Sequence, residues 1–177
     1  MPDLATALER NTAVLAIDIK VWDNRFMRTA YTITASDESP MEVVSPQVFA
    51  DALDQMRSHS RAGFLTFYST QEIQSGGMVP ILGNSGKTGV LIWRHDGHVE
   101  AASLFNNSDV SGAGITLLKQ VLDQYGVNYV NCFEPLNTLY ESLGFHTEST
   151  DKWDSQYAPD DWDYATHGTP SVHYMVR

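Results

Sequence analysis

Cysteine is nearly absent: Cys132 is the one copy in 177 residues. An internal disulfide is therefore excluded, and so is a zinc site built on several thiolates. A reducing, cytoplasmic setting is the simple expectation. Positive charge is also scarce, with 11 Lys and Arg against 22 Asp and Glu and a formal net charge of −11. A nucleic-acid backbone requires clustered bases, so direct nucleic-acid binding is not expected. Such a surface suits a basic or amine-bearing partner, and it also serves solubility. No apolar run reaches the roughly 20 residues that span a bilayer, so no membrane segment is expected. Residues 1–20 hold Asp3 and Glu9 and lack a basic segment ahead of an apolar one, which argues against a secretory signal. Repeats, low-complexity tracts and linker compositions are missing too, and 1–177 reads as one domain.

What is present is an alternation of short apolar runs with turn signals. Residues 13–21 are apolar and fit either helix or strand, and Tyr31–Thr34 is a β-branched run that reads as a strand. Ser45-Pro46 is a helix start, and Val48, Phe49, Ala52, Leu53 and Met56 follow at helical spacing, which predicts a helix over 46–58. Gly63–Tyr68 reads as a strand, and Gly76-Gly77 and Gly83–Gly86 read as loops. Val90–Trp93 and His98–Phe105 form two strands joined through Asp96-Gly97, a strong hairpin signal. Ile115, Leu118, Val121, Leu122 and Tyr125 define a helix that Gly126 ends. A strand at Val127–Phe133, a helix from Pro135 to Leu143 closed by Gly144, and strands from Phe145 and over Ser171–Val176 complete the chain. The class is α+β, a mixed central sheet flanked by helices.

Three features carry less than they promise. Gly83-Asn84-Ser85-Gly86-Lys87-Thr88 looks like the end of a phosphate-binding P-loop, but Ile81 stands where that pattern needs its first glycine. A turn leading into a strand is the better reading. His95 and His98, three apart across a turn, read as a hairpin-surface pair rather than metal ligands, and no metal site is expected. Cys132 lies in an apolar strand and reads as a small buried hydrophobe.

The most informative segment is 104–145. It runs Leu104-Phe105-Asn106-Asn107, then Ser111-Gly112-Ala113-Gly114-Ile115, then Leu139-Tyr140-Glu141-Ser142-Leu143-Gly144-Phe145. A strand that enters a Gly-x-Gly turn and then a helix leaves several backbone N–H groups free at the helix start, an anion site reinforced by the helix dipole. Over roughly residues 88–150 the chain resembles the GCN5-related N-acetyltransferase (GNAT) superfamily, through the Gly-x-Gly loop and the Leu-Tyr-x-x-x-Gly-Phe ending. The resemblance implies that the strand before the loop splays from its neighbour and that acetyl-coenzyme A lies in the gap. Cofactor contacts would then fall to Leu104, Phe105 and Asn106, to Ser111, Gly112, Ala113, Gly114 and Ile115, and to Asn137. Asp109 stands where the family has Gln or Arg, and Phe133 stands about where the family has a cofactor-contacting Asn, with Asn131 and Asn137 nearby.

The resemblance also implies two catalytic roles. Tyr140 would protonate the leaving thiolate, as a phenol of ordinary pKa can. A general base would take the acceptor's proton, directly or through water: Glu100 on the splayed strand is the first choice, with His98 and Glu134 as the other candidates. Between Glu148 and Asp163 the chain places six acids against Lys152 alone, together with Trp153, Tyr157 and Trp162. That stretch fits a wall for an amine or cation as well as it fits an acidic loop whose aromatics pack on the core. Two functions follow. One is acetyl-CoA-dependent N-acetyl transfer to an amine of a small molecule or a protein. The other is a non-catalytic acidic protein of the same fold that engages a basic partner or imitates nucleic acid.

Overall fold

The computed structural model describes residues 40–59, 62–159 and 162–177. The apolar stretch 13–21 and the strand expected at Tyr31–Thr34 lie outside the described residues. Within them the chain forms β1 (Glu42–Val43), α1 (Pro46–Asp54), α2 (Thr70–Ser75), β2 (Val79–Gly83), β3 (Thr88–His95) and β4 (His98–Asn106). Then come α3 (Ala113–Tyr125), β5 (Tyr129–Phe133), α4 (Asn137–Ser142), β6 (His146–Asp151), α5 (Tyr164–His167) and β7 (Val172–Val176). The strands make one mixed sheet in the order β1-β2-β3-β4-β5-β7-β6. Every pairing is antiparallel except that of β4 with β5.

Alternation along the strands sends neighbouring side chains to opposite faces. Ile81, Val90, Ile92, Ala101 and Val130 pack under α3 and α4, against Leu118, Val121 and Tyr140. Leu82, Leu91, Ala102 and Phe133 pack on the other face, against Phe49 and Leu53 of α1 and Ile73 of α2. Local signals set most of these elements. The Ser45 hydroxyl caps α1 with Pro46 in its first turn, and a 3-10 turn over Gln55–Ser58 finishes the expected helix. Asp96 and Gly97 take φ of 46° and 80°, the left-handed pair of a two-residue hairpin turn. Gly126, at φ 67°, ends α3.

The structure corrects one local reading and adds two elements to which the sequence analysis assigned nothing. Gly63–Tyr68 is no strand: Ala62–Phe64 is a 3-10 turn, and the chain then runs without regular structure to Ser69. Phe64 and Leu65 are apolar because they pack into the core beneath α1, which needs no strand partner. Val79–Gly83, flanked by loop-like glycines, is β2, and Pro80 sits opposite Leu91 within it. Thr70–Ser75 is a helix because Ser69 and Glu72 form a reciprocal capping box. The turn reading of Gly83–Lys87 holds, with a 3-10 turn at Asn84–Gly86 leading into β3.

Candidate functional site

β4 and β5 meet at one register pair, Glu100 opposite Tyr129. Beyond it, over residues 101–105 of β4 and 130–133 of β5, the two strands have no further register pair, and β5 is held along its other edge by β7. The β4 edge that faces β5 therefore presents peptide groups that have no strand partner.

A bulge in β4 helps to produce this wedge. Gly89 faces Phe105 and Leu91 faces Ala102, so β4 carries one residue more than β3 over that interval. Ser103 takes φ of 48° there, and its hydroxyl donates to the Thr66 carbonyl at 2.7 Å. The extra residue bends β4 and resets its parity. Leu104 joins the α3 face and Phe105 the α1 face. The bend also needs Gly89, because a Cβ there would lie 2.3 Å from the Phe105 ring.

At the open end of the wedge the chain turns into α3. The Asn106 amide donates to the Val110 carbonyl at 3.0 Å, and its oxygen accepts from the Ser108 N–H and hydroxyl at 2.9 and 2.6 Å. Gly112 precedes the helix at φ 80°, and no side chain caps α3. The first turn of this 13-residue helix thus begins at the wedge with no side-chain acceptor on its N–H groups. Gly114 is buried behind Asn106, whereas Ser111 is exposed and Ala113 and Ile115 are half-buried. The structure therefore gathers Leu104, Phe105, Asn106 and Ser111–Ile115 around one opening. Asn137 is engaged elsewhere: its amide donates to Glu141 at 3.3 Å and accepts from the Thr147 hydroxyl at 3.1 Å.

Glu100 stands at the closed end, on the α1 face, with 0% of its surface exposed. One carboxylate oxygen lies 2.6 Å from His95 Nε2, and the other accepts from the Asn131 amide at 3.1 Å. Burial pushes the Glu100 pKa up, against the opposing pull of His95 and Asn131. The bond to Glu100 raises that of His95, against its own burial. The Tyr68 hydroxyl is buried without a partner among the described residues, and its pKa is pushed up, first by burial and then by the Glu100 charge. His98 stacks on Tyr129 at 4.6 Å, so it lies beside this cluster but does not join it. Glu134 is bound to the Ser171 hydroxyl at 3.0 Å. Sequence reading missed His95, Asn131 and Tyr68. His95 was within reach: a two-residue turn sets it opposite His98, and strand alternation then puts it on the face of Glu100.

Tyr140 is fully buried on the other face, edge-on to Phe145, and its hydroxyl has no partner among the described residues. Burial raises its pKa well above the ordinary value. Cys132 beside it is buried too, its thiol pushed up to about 12 by burial, as suits an inert core residue. In the acidic stretch, Trp153 and Trp162 stack at 4.5 Å, and Trp162 packs on Phe64 and Phe133 at 5.3 Å. These aromatics belong to the core, while Glu148, Asp151, Asp154 and Asp163 stay exposed.

No model of a known protein family matches the sequence, and no curated protein does. Solved structures do match in shape. The ribosomal-protein-S18-alanine N-acetyltransferase of Escherichia coli superposes with a TM-score of 0.53 at 17% identity, over 77% of this chain and 91% of its own. Escherichia coli ElaA superposes with a TM-score of 0.51 at 12% identity, over 78% of this chain and 99% of its own. The fold is that of the GNAT acetyltransferases. The mixed sheet, the parted β4 and β5 and the α3 start at their opening occupy the positions that the resemblance implied. Within this GNAT fold no described helix is long and apolar enough to cross a membrane, and no described group of His, Cys, Asp or Glu could hold a metal ion.

Proposed function

We propose that the protein is an N-acetyltransferase that uses acetyl-CoA to modify an amine-bearing acceptor, small molecule or protein. The parting of β4 from β5 directly beyond a buried Glu100 carries this reading. The residues present fit the cofactor. The α3 start behind the left-handed Gly112, which no described side chain caps, suits a pyrophosphate, the β4 edge that parts from β5 suits an amide-bearing arm, and the Tyr140 hydroxyl, without a partner among the described residues, suits a sulfur partner. Gly112–Ile115 would hold the phosphates and the β4 edge over Ala102–Asn106 the pantetheine amides. Bound there, acetyl-CoA supplies an acyl thioester with a thiolate leaving group.

The chain's own residues supply the rest. Glu100 takes the proton of the acceptor ammonium, directly or through a water, so that the amine becomes nucleophilic. N–H groups on the β4 edge that parts from β5 would be preorganised donors toward developing negative charge. Tyr140 keeps its proton at neutral pH, because burial raises its pKa, and holds it at the Oη for the leaving thiolate.

The test is stabilisation by acetyl-CoA followed by release of free thiol against a broad panel of amines. A ligand at 100 times its dissociation constant adds about 2.7 kcal/mol, a readable rise in melting temperature. No stabilisation at millimolar acetyl-CoA, together with no thiol release, would remove this reading.

A further inference from the structure

We propose that His95 is a positioning residue for this site: it holds the buried Glu100 carboxylate ionised and in one orientation, and so sets the pH below which the site loses its base. The inference rests on Glu100 acting as the base proposed above.

The geometry is specific. Glu100 is entirely removed from solvent, and an unpaired carboxylate there would take up a proton rather than stay charged. Two side chains oppose that. Asn131, itself 0% exposed, gives one neutral hydrogen bond. His95 gives the short contact of 2.6 Å and is the partner that can carry a positive charge. The His95 side chain is 18% exposed, so it exchanges protons with bulk solvent directly, whereas the enclosed Glu100 side chain, at 0%, has no such direct route. Its other nitrogen, Nδ1, faces the exposed Asp96 carboxylate at 3.4 Å.

The remaining neighbours are mostly aromatic and fix the ring by packing. Trp93 lies against it at 4.1 Å, and Tyr129 from β5 meets it edge-on at 6.0 Å. His98 from β4 is farther, at 6.4 Å, and stacks on Tyr129 instead. From the α1–α2 connection Tyr68 faces the Glu100 charge, with its phenol held protonated. Among the described groups around Glu100, then, His95 and His98 are the bases, and His95 alone is bonded to it.

The sign follows. His95→Phe keeps a ring of similar bulk between Trp93 and Tyr129 but removes the donor and the charge. Glu100 then stays protonated to higher pH. The acid limb of the pH–rate profile moves upward, and at a pH on that limb turnover falls about 10- to 100-fold, the loss of a hydrogen bond to a charged group. Full activity returns at higher pH. His95→Gln, which keeps a donor near the Nε2 position, moves the limb less.

Two measurements decide it. One is the pH–rate profile of thiol release for the parent, His95→Phe and His95→Gln. The other is the carboxyl carbon of Glu100 followed by NMR through a pH titration of the ligand-free protein. A limb displaced in the order parent, Gln, Phe, with a parallel rise in the Glu100 midpoint, is expected. An active parent whose limb does not move in His95→Phe overturns the inference, even if the variant melts lower at every pH. A parent that releases no thiol at any pH overturns the transferase reading instead. The NMR arm then still decides His95, because an unchanged Glu100 midpoint overturns its role.

Discussion

Glu100 faces Tyr129 across the last point at which β4 and β5 touch as strands. This pairing puts a buried carboxylate at the vertex of a wedge whose open end is the start of α3. One side of the vertex belongs to the α1 face, where His95 and Asn131 hold the carboxylate. The opposite face of the sheet packs on α3 and α4, and there the Tyr140 hydroxyl has no partner among the described residues. A buried carboxylate and a buried phenol hydroxyl thus lie on opposite faces of one sheet.

Tyr140→Phe separates chemistry from packing. The ring is fully buried and its hydroxyl bonds to nothing among the described residues, so its loss removes a buried polar group that lacks compensation. Melting temperature should hold or rise, by an amount equivalent to about 1 kcal/mol. Thiol release should fall about 10²–10³-fold if the hydroxyl is the acid. Normal turnover would leave Tyr140 as core alone.

Gly89→Ala tests the bulge. The added Cβ would lie 2.3 Å from the Phe105 ring and 2.9 Å from Leu82, so Phe105 must swing away from its contact with Phe49. Overpacking of this kind costs about 1–3 kcal/mol. Urea unfolding should show a lower midpoint at an unchanged slope. A midpoint equal to that of the parent would mean that the bulge tolerates a side chain.

Gly114→Val tests the cofactor loop. A Cβ at Gly114 would sit 3.5 Å from that of Asn106, an ordinary contact, so the free protein should fold and melt normally. The branched side chain would crowd the α3 start, and the stabilisation of about 2.7 kcal/mol expected at 100 Kd of acetyl-CoA should vanish. Equal stabilisation of variant and parent would place the pyrophosphate elsewhere.

Stability should fall as pH rises through the range in which the Glu100–His95 pair titrates. Burial raises the Glu100 pKa, and the bond to Glu100 raises that of His95, so the folded state binds more protons than the unfolded one. Its unfolding free energy then declines from the ordinary glutamate range to beyond the ordinary histidine value. The His95 contribution is complete below the unfolded histidine value and lost as pH passes the raised one. Glu100→Gln should flatten melting temperature against pH over this window. An unaltered slope in that variant would assign the dependence to other groups.

Much of the architecture was legible in the sequence because it depends on neighbours along the chain. Ser45-Pro46 starts α1, Asp96-Gly97 closes the hairpin, Gly126 stops α3, and the Gly112–Gly114 turn places a helix start after β4. Each is a matter of backbone freedom or a cap within a few residues, which local chemistry determines. The tertiary structure alone decided the wedge and what lines it. Gly63–Tyr68 has the composition of a strand, yet among the described residues it pairs with no strand and packs as an irregular connection beneath α1. Asn131 reaches Glu100 across 31 positions of sequence, and Tyr68 comes from the connection between α1 and α2. No local period marks such contacts, because they arise only when strands distant in sequence are laid side by side. His95 lies between these cases: its face follows from the turn and strand parity, but the burial that gives its bond to Glu100 consequence exists only once the sheet is covered.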